Sequence, residues 1–234
     1  MFKKLLPLVV AAVFVSAAAA DEADIKRSME AKLGTKVESV SKSGYLGLYE
    51  VYADGTIFYT DDKLTAILVG GQLIDAKTMK NVTDERMKKL TAIKFGELPL
   101  ERAIKQVRGD GKRVLATFED PNCGYCKRLA KDLLKLENVT VYTFLYPILS
   151  EDSVRKSKQI WCSADRAKAW NDWMIDGKAP ASKEDCDTTA VSKNQEFGRK
   201  LNITGTPTMF FADGERVPGA MPLARIEQKL AQTK

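Results

Sequence analysis

Asp120-Pro121-Asn122-Cys123-Gly124-Tyr125-Cys126 stands between an apolar run, Arg113 to Phe118, and a segment with helical spacing, Cys123 to Leu136. The first segment reads as a buried strand. The second reads as a helix whose apolar face carries Cys126 with Leu129, Ala130 and Leu133, at i+3, i+4 and i+7. A cysteine at the start of a helix faces unsatisfied backbone N–H groups, and these favour its thiolate. Lys127 and Arg128 add positive charge nearby. The two sulfurs therefore divide the work: Cys123 is expected to be exposed and nucleophilic, Cys126 shielded and resolving. A zinc site would want a second close cysteine pair or histidine ligands, and an inert disulfide would not need the strand–helix junction. A redox-active pair accounts for both the spacing and the placement.

The chain has two further cysteines, Cys162 and Cys186. Cys162 follows Trp161 inside a helical stretch, and Cys186 precedes another. Neither has the junction context of Cys123. They read as partners in a structural disulfide, with a second redox pair as the other reading. Thr204-Gly205-Thr206-Pro207-Thr208 opens an apolar strand. Proline cannot donate to a sheet ladder and belongs at a strand's start. X–Pro bonds in folded proteins are cis only about 5–6% of the time, so a loop proline and a cis-proline facing the CxxC remain two readings.

From Pro99 onward strands and helices alternate. Leu100 to Val107 reads as helix, Val139 to Leu145 as strand, and Ser153 to about Ile175 as one long helical section. About Asp187 to Leu201 is helical again. Thr208 to Phe211 is a strand that Asp213-Gly214 turns into Glu215 to Val217, and Leu223 to Leu230 closes the chain as a helix. This is an α/β pattern with a mixed sheet. Before it the order differs. Ile25 to Leu33 is a short amphipathic stretch. Short strands follow at 37–42, 46–52, 56–60, 64–69 and 72–75, joined by turns such as Asp54-Gly55 and Gly70-Gly71. So small an antiparallel meander buries little apolar surface and has edges to cover, needs that pairing with a second copy would meet. Between the two parts, Thr83 caps a charged run, Asp84 to Lys94, with acids first and lysines last, as the helix dipole prefers.

Residues 1–20 carry Lys3 and Lys4, an apolar run from Leu5 to Val15, and the small-residue pattern Ala18-x-Ala20. This reads as a secretory signal segment, too short to span a bilayer. Removing it lowers the formal charge of +6 by two, for Lys3 and Lys4. No later run is long and apolar enough for stable membrane insertion, and an oxidising compartment is expected. The sequence has no histidine, which excludes Ser-His-Asp and Cys-His nucleophiles and His-ligated metal sites. The mild, dispersed positive charge gives no basic block for nucleic acid. No cofactor or metal is expected.

The CGYC at a strand–helix junction, with Thr-Pro-Thr ahead of a later strand, resembles the thioredoxin superfamily. Taken with GLYEVYADGTIFYT at 47–60, TFEDPNCGYCKRL at 117–129 and NITGTPTMFFADGERVPG at 202–219, the chain is similar over residues 21–234 to DsbC-type periplasmic disulfide isomerases. That resemblance implies an α+β / α/β architecture. Residues 21–82 would be an N-terminal cystatin-like antiparallel sheet domain for dimerisation. Residues 83–98 would be a linker helix, and residues 99–234 a C-terminal thioredoxin fold with a helical insertion. It implies a V-shaped homodimer whose apolar cleft takes misfolded secreted proteins with non-native disulfides. Catalysis would fall to Cys123 and Cys126. Thr206-Pro207 would be a cis-proline loop contacting substrate together with Gly124 and Tyr125, and Cys162–Cys186 the structural disulfide. A DsbD-type membrane reductant would return the active pair to the dithiol.

The pattern is not followed throughout. The family's buried acid stands six residues before the first cysteine, where this chain has Thr117; Glu119 and Asp120 fall on other positions. The Gly-Tyr dipeptide lacks the histidine of the oxidase DsbA, and Gly124 stands where the DsbG relatives carry proline, which favours the isomerase. The other readings are a DsbG-like holdase with little redox turnover and a dedicated thiol–disulfide reductase.

Overall fold

The computed structural model describes residues 22–233; the signal segment expected at residues 1–20 lies outside them. The chain divides into two compact units, one ending at Gly71 and one starting at Gln72.

In the first unit, helix α1 (Glu22–Leu33) precedes strands β1 (Val37–Lys42), β2 (Tyr49–Ala53), β3 (Thr56–Thr60) and β4 (Ile67–Val69). The strands form one antiparallel sheet in sequence order. Asp54 and Gly55 both have positive φ, as the tight turn between β2 and β3 requires. Ile25 and Met29 of α1 pack against Val37, Tyr49, Val51 and Ala53. Leu46, Leu68 and Val69 remain exposed.

The second unit starts with an irregular stretch. The strand expected at 72–75 is only an isolated bridge between Ile74 and Asn81. Helix α2 (Val82–Thr91) follows. Its cap is Asn81, whose side chain accepts from the Asp84 N–H at 3.0 Å, and not Thr83. The Thr83 hydroxyl is already engaged, accepting from Leu73 N–H at 2.8 Å. The chain after α2 is fastened to the later hairpin: Ile93 N–H donates to Gly214 O at 3.1 Å. Gly214 has φ +83°, and a Cβ there would lie 1.8 Å from the Ile93 carbonyl oxygen. Lys88 also reaches Glu215 at 3.9 Å.

Beyond Pro99 the helix expected at 100–107 is not formed. A single 3-10 turn, Leu100–Arg102, leads into strand β5 (Ile104–Arg108). Its Ile104 and Gln106 alternate with Lys105 and Val107, and the strand pairs antiparallel along the edge of β7 (Val139–Leu145). Backbone pairing with a strand distant in sequence outweighs the local helical spacing. Strand β6 (Arg113–Glu119) lies parallel to β7 and leads into helix α3 (Gly124–Leu133). Helices α4 (Glu151–Trp161), α5 (Arg166–Asp176) and α6 (Thr189–Lys200) precede β8 (Thr208–Phe211), β9 (Arg216–Pro218) and α7 (Leu223–Gln232). The sheet order is β5-β7-β6-β8-β9, with β6–β7 parallel and the other pairs antiparallel.

The sheet is buried on both faces. Leu115 packs with Leu129 and Leu133 of α3 and with Ile226 and Leu230 of α7. On the other face Phe118 stacks on Phe144 with ring centroids 4.7 Å apart and meets Tyr146 and Phe210 edge-on. Gly198 of α6 lies against this cluster. A Cβ there would sit 2.4 Å from the Tyr146 ring.

The long helical section breaks into α4 and α5 at Cys162. Asp165 caps α5, accepting from Lys168 N–H at 2.9 Å, and Cys162 is bonded to Cys186. The Trp161 indole donates to Asp187 O at 3.1 Å. The bond therefore ties the end of α4 to the irregular segment that precedes α6. A sequence separation of 24 residues corresponds to roughly 3 kcal/mol of stabilisation in the chain-entropy account. Replacing both cysteines with alanine should lower the melting temperature by several degrees. Thiol titration of the mildly reduced native protein should find two thiols, with four only after denaturation. Four in the native state would show the bond to be labile.

Candidate active site

The junction loop is set by Asp120, which is fully buried. One carboxylate oxygen accepts from Asn122 N–H at 2.8 Å, and the other from Ile148 and Leu149 N–H at 2.8 and 2.9 Å. These bonds hold the end of β6 against the loop after β7. The Trp173 indole of α5 donates to Pro121 O at 2.6 Å. Asn122 reaches Asp152 of α4 at 2.8 Å. The inserted helices thus brace the residues just ahead of Cys123.

Cys123 is the N-cap of α3, and its sulfur takes the place of a capping oxygen: Cys126 N–H donates to Sγ at 3.4 Å. The thiol in turn donates to the Thr206 carbonyl at 3.3 Å. The Thr206–Pro207 bond is cis, and the Thr206 hydroxyl is buried and otherwise without a partner. The Cys123 thiol is pulled down to about 5, first by the hydrogen bond from the Cys126 side chain, then by Thr206 and by the backbone amides of Cys126 and Tyr125, against the opposing effect of burial. With the thiol ionised, Thr206 Oγ1–H replaces its carbonyl as the useful neighbour. Hydrogen bonds to the charged form are a general route to a depressed acid.

Two expectations change here. Cys123 is not exposed: only 6% of its surface is accessible. Gly124 and Tyr125 stand out instead, Tyr125 at 60%. The cations do not face the thiolate. Lys127 lies over the Trp173 ring at 4.4 Å, with Lys156 over the same ring at 4.6 Å, and Arg128 lies over Tyr125 at 4.4 Å. The Cys126 thiol, the Thr206 hydroxyl and backbone amides, rather than salt-screened side-chain charge, hold the thiolate.

Cys126 is fully buried, in a cluster with Leu145, Ile160, Trp161, Trp170 and Met174. Burial is the largest cause pushing its thiol far up, followed by its hydrogen bond to Cys123 and the charges of Glu119 and Cys123. Two sulfurs one helical turn apart are thus held in opposite protonation states at neutral pH. The sequence shows Glu119 as an acid close to the pair but off the family's acid position, which is Thr117 here. Glu119 is fully buried, and its carboxyl is pushed up to about 8, chiefly by burial. The available signal was the period of two along β6, which puts residues 117 and 119 on one face. Among the described residues no group of His, Cys, Asp and Glu is arranged to hold a metal ion.

Residues 100–234 match the family described as a thioredoxin-like domain, and residues 16–84 the family described as the disulfide bond isomerase protein N-terminal domain. The chain is similar to the probable thiol:disulfide interchange protein DsbC of Bordetella parapertussis, with 50% identity over 197 residues, 84% of this chain and 69% of that protein. It is 30% identical over 227 residues to the thiol:disulfide interchange protein DsbC of Escherichia coli K12, covering 94% of this chain and 91% of the relative. A crystal structure of a disulfide interchange protein from Neisseria gonorrhoeae superposes with a TM-score of 0.55 at 41% identity, covering 58% of this chain and 98% of that one.

Thr206→Val removes the buried hydroxyl and leaves the carbonyl. A hydrogen bond to a charged group is worth about 1.5–3 kcal/mol, and 1.36 kcal/mol is about one pKa unit. Alkylation of the reduced protein, followed against pH with the modified cysteine mapped by mass spectrometry, should reach half its maximal rate near pH 5 in the wild type and roughly one unit higher in the variant. An unmoved midpoint would assign the effect to the Cys126 thiol and the backbone amides of the helix start.

Proposed function

The chain belongs to the DsbC family of thiol:disulfide interchange proteins, and from that premise we propose that it rearranges non-native disulfides in misfolded secreted proteins in the periplasm. The observation that carries the reading is the asymmetry of the pair: a hydrogen-bonded Cys123 thiolate at the start of the helix, and a protonated, fully buried Cys126 one turn away. Cys123 attacks a substrate disulfide and forms a mixed disulfide, releasing one substrate thiolate. That thiolate, or another in the substrate, attacks a second substrate sulfur. When the new bond frees Cys123, the protein emerges reduced and the substrate isomerised. If the substrate stalls, Cys126 attacks Cys123, the pair becomes a disulfide, and the substrate leaves with two thiols. A DsbD-type membrane reductant then restores the pair.

Gly124, Tyr125, Thr206 and Pro207 border Cys123 and are the residues we assign to substrate contact. The cleavable reading of residues 1–20 supports export, and among the described residues no helix is long and apolar enough to cross a membrane. We assign residues 21–82 to dimerisation, 83–98 to a linker and 99–234 to catalysis; the match of residues 16–84 to the isomerase N-terminal domain supports this division. A homodimer would also give accessory chaperone activity, by offering unfolded chains two binding surfaces.

Refolding of a scrambled multi-disulfide protein tests the assignment. Cys123→Ala should lose catalysis down to the background rate. Cys126→Ala should still isomerise while accumulating mixed disulfides. A fragment from Gln72 should be monomeric by sedimentation and should reduce disulfides while isomerising poorly. A wild-type protein that suppresses aggregation yet leaves the scrambled disulfides in place would be a holdase.

A further inference from the structure

The exchange mechanism needs a base. Cys126 must lose its proton before it can attack Cys123, yet its surroundings hold it as a thiol. Water is excluded, because Cys126 has no accessible surface, and the sequence has no histidine to serve.

Strand β6 supplies a candidate from its α3 face. Leu115, Thr117 and Glu119 alternate onto one side of the sheet, and Leu115 there packs against Leu129 and Leu133 of α3. Cys126 lies on that same buried face of α3. In the β6–β7 register Glu119 stands opposite Leu145, and Leu145 belongs to the cluster around Cys123 and Cys126. The Glu119 carboxyl has one oxygen engaged, accepting from Thr117 Oγ1 at 2.7 Å. The other, Oε2, is buried with no partner. Such an orphan is costly unless it serves a purpose. Asp120 next to it is no rival, since both of its oxygens are taken by backbone amides.

We propose that Glu119 accepts the Cys126 proton in the escape step, and that entry of Cys123 into a mixed disulfide makes it readier to do so. The proposal rests on the exchange reading of Cys123 and Cys126. Its second half follows from charge. The groups facing Glu119 are few: Thr117 of β6 and Thr143 and Leu145 of β7 do not titrate. The α4 and α5 members of the Cys126 cluster, Ile160, Trp161, Trp170 and Met174, carry no charge. The titratable neighbours acting on it are Cys123 and Cys126 of α3. In the resting dithiol burial first, and the Cys123 thiolate after it, oppose ionisation of Glu119, which at about 8 is mostly protonated at neutral pH. A mixed disulfide removes the thiolate charge. Glu119 then ionises more readily, and its proton goes to the thiolate that the substrate released when Cys123 attacked.

The escape step balances. Glu119 carboxylate takes the Cys126 proton, and the Cys126 thiolate attacks Cys123 Sγ. The Cys123–substrate S–S bond breaks as the Cys123–Cys126 bond forms. The substrate sulfur departs as a thiolate and is protonated from Glu119 or water. The pair loses two electrons and the substrate gains them. A base that lags behind mixed-disulfide formation gives the substrate time to isomerise first, and a rise in pH shortens that time.

The test uses the reduced full-length protein and an aromatic disulfide whose released thiolate absorbs visible light. The first thiolate reports attack by Cys123, and the second reports attack by Cys126 on the resulting mixed disulfide. In the wild type the second phase should accelerate with pH and level off once Glu119 is ionised. In Glu119→Gln the first phase should keep its neutral-pH rate. The second should slow by roughly 10²-fold, the usual scale for a positioned base, and rise with hydroxide without levelling. An infrared measurement on the wild type avoids dependence on the variant's folding. A buried protonated carboxyl band should be present in the dithiol at neutral pH and weaken when Cys123 is capped by alkylation. An unchanged second phase in Glu119→Gln, or a band indifferent to capping, overturns the role of Glu119 while leaving the exchange reading intact. A missing first phase in the wild type overturns both.

Discussion

The sulfur of Cys123 caps a helix, and the chemistry of the second unit depends on that one contact. A cap accepts from backbone N–H groups that otherwise have no partner, so the contact stabilises the helix start and the thiolate together. Cys126 supplies the amide and is itself carried inward by the same turn of helix. Spacing of three residues thus puts one sulfur at the loop and the other in the core. Their opposite protonation follows from the hydrogen bonds that Cys123 accepts, which overcome its burial, and from the burial of Cys126.

A cap of this kind is useful only if the loop before it is rigid. The Asp120 carboxyl oxygens accept from three amides of two segments, while Trp173 and Asn122 attach the loop to the inserted helices. The Cys162–Cys186 bond stabilises the same insertion from its far side. The insertion is therefore more than an addition to the sheet. It fixes where Pro121 and Asn122 lie, and through them where the sulfur lies. The two lysines over Trp173 cover the indole that makes this contact, which explains why they do not serve the thiolate directly.

The first unit is a compact body of its own. It has its own small core, in which α1 packs on a four-stranded sheet, and its exposed Leu46, Leu68 and Val69 mark surface that a second copy could cover. Residues 16–84 and 100–234 match separate families.

Local patterns were enough for much of this. The CxxC at a strand–helix junction, the apolar face bearing Cys126, the Asp54-Gly55 hairpin and the change from meander to alternating strands and helices are all short-range signals, and each was readable because a few neighbouring residues decide it. Pairing of Cys162 with Cys186 was readable by default, the other two cysteines being assigned. What the sequence did not disclose depends on residues far apart in the chain. Ile104 to Arg108 is a strand because the edge of β7 offers it backbone partners. Cys123 is covered because Thr206 lies over it, and Lys127 and Arg128 turn to aromatic rings that folding brings near. Glu119 could not be distinguished from an ordinary surface acid by its neighbours in sequence. Only the closing of α3 over β6 removes it from water, leaves one oxygen without a partner and puts its charge within reach of two sulfurs, because burial and field are properties of the packed structure and not of the local chain.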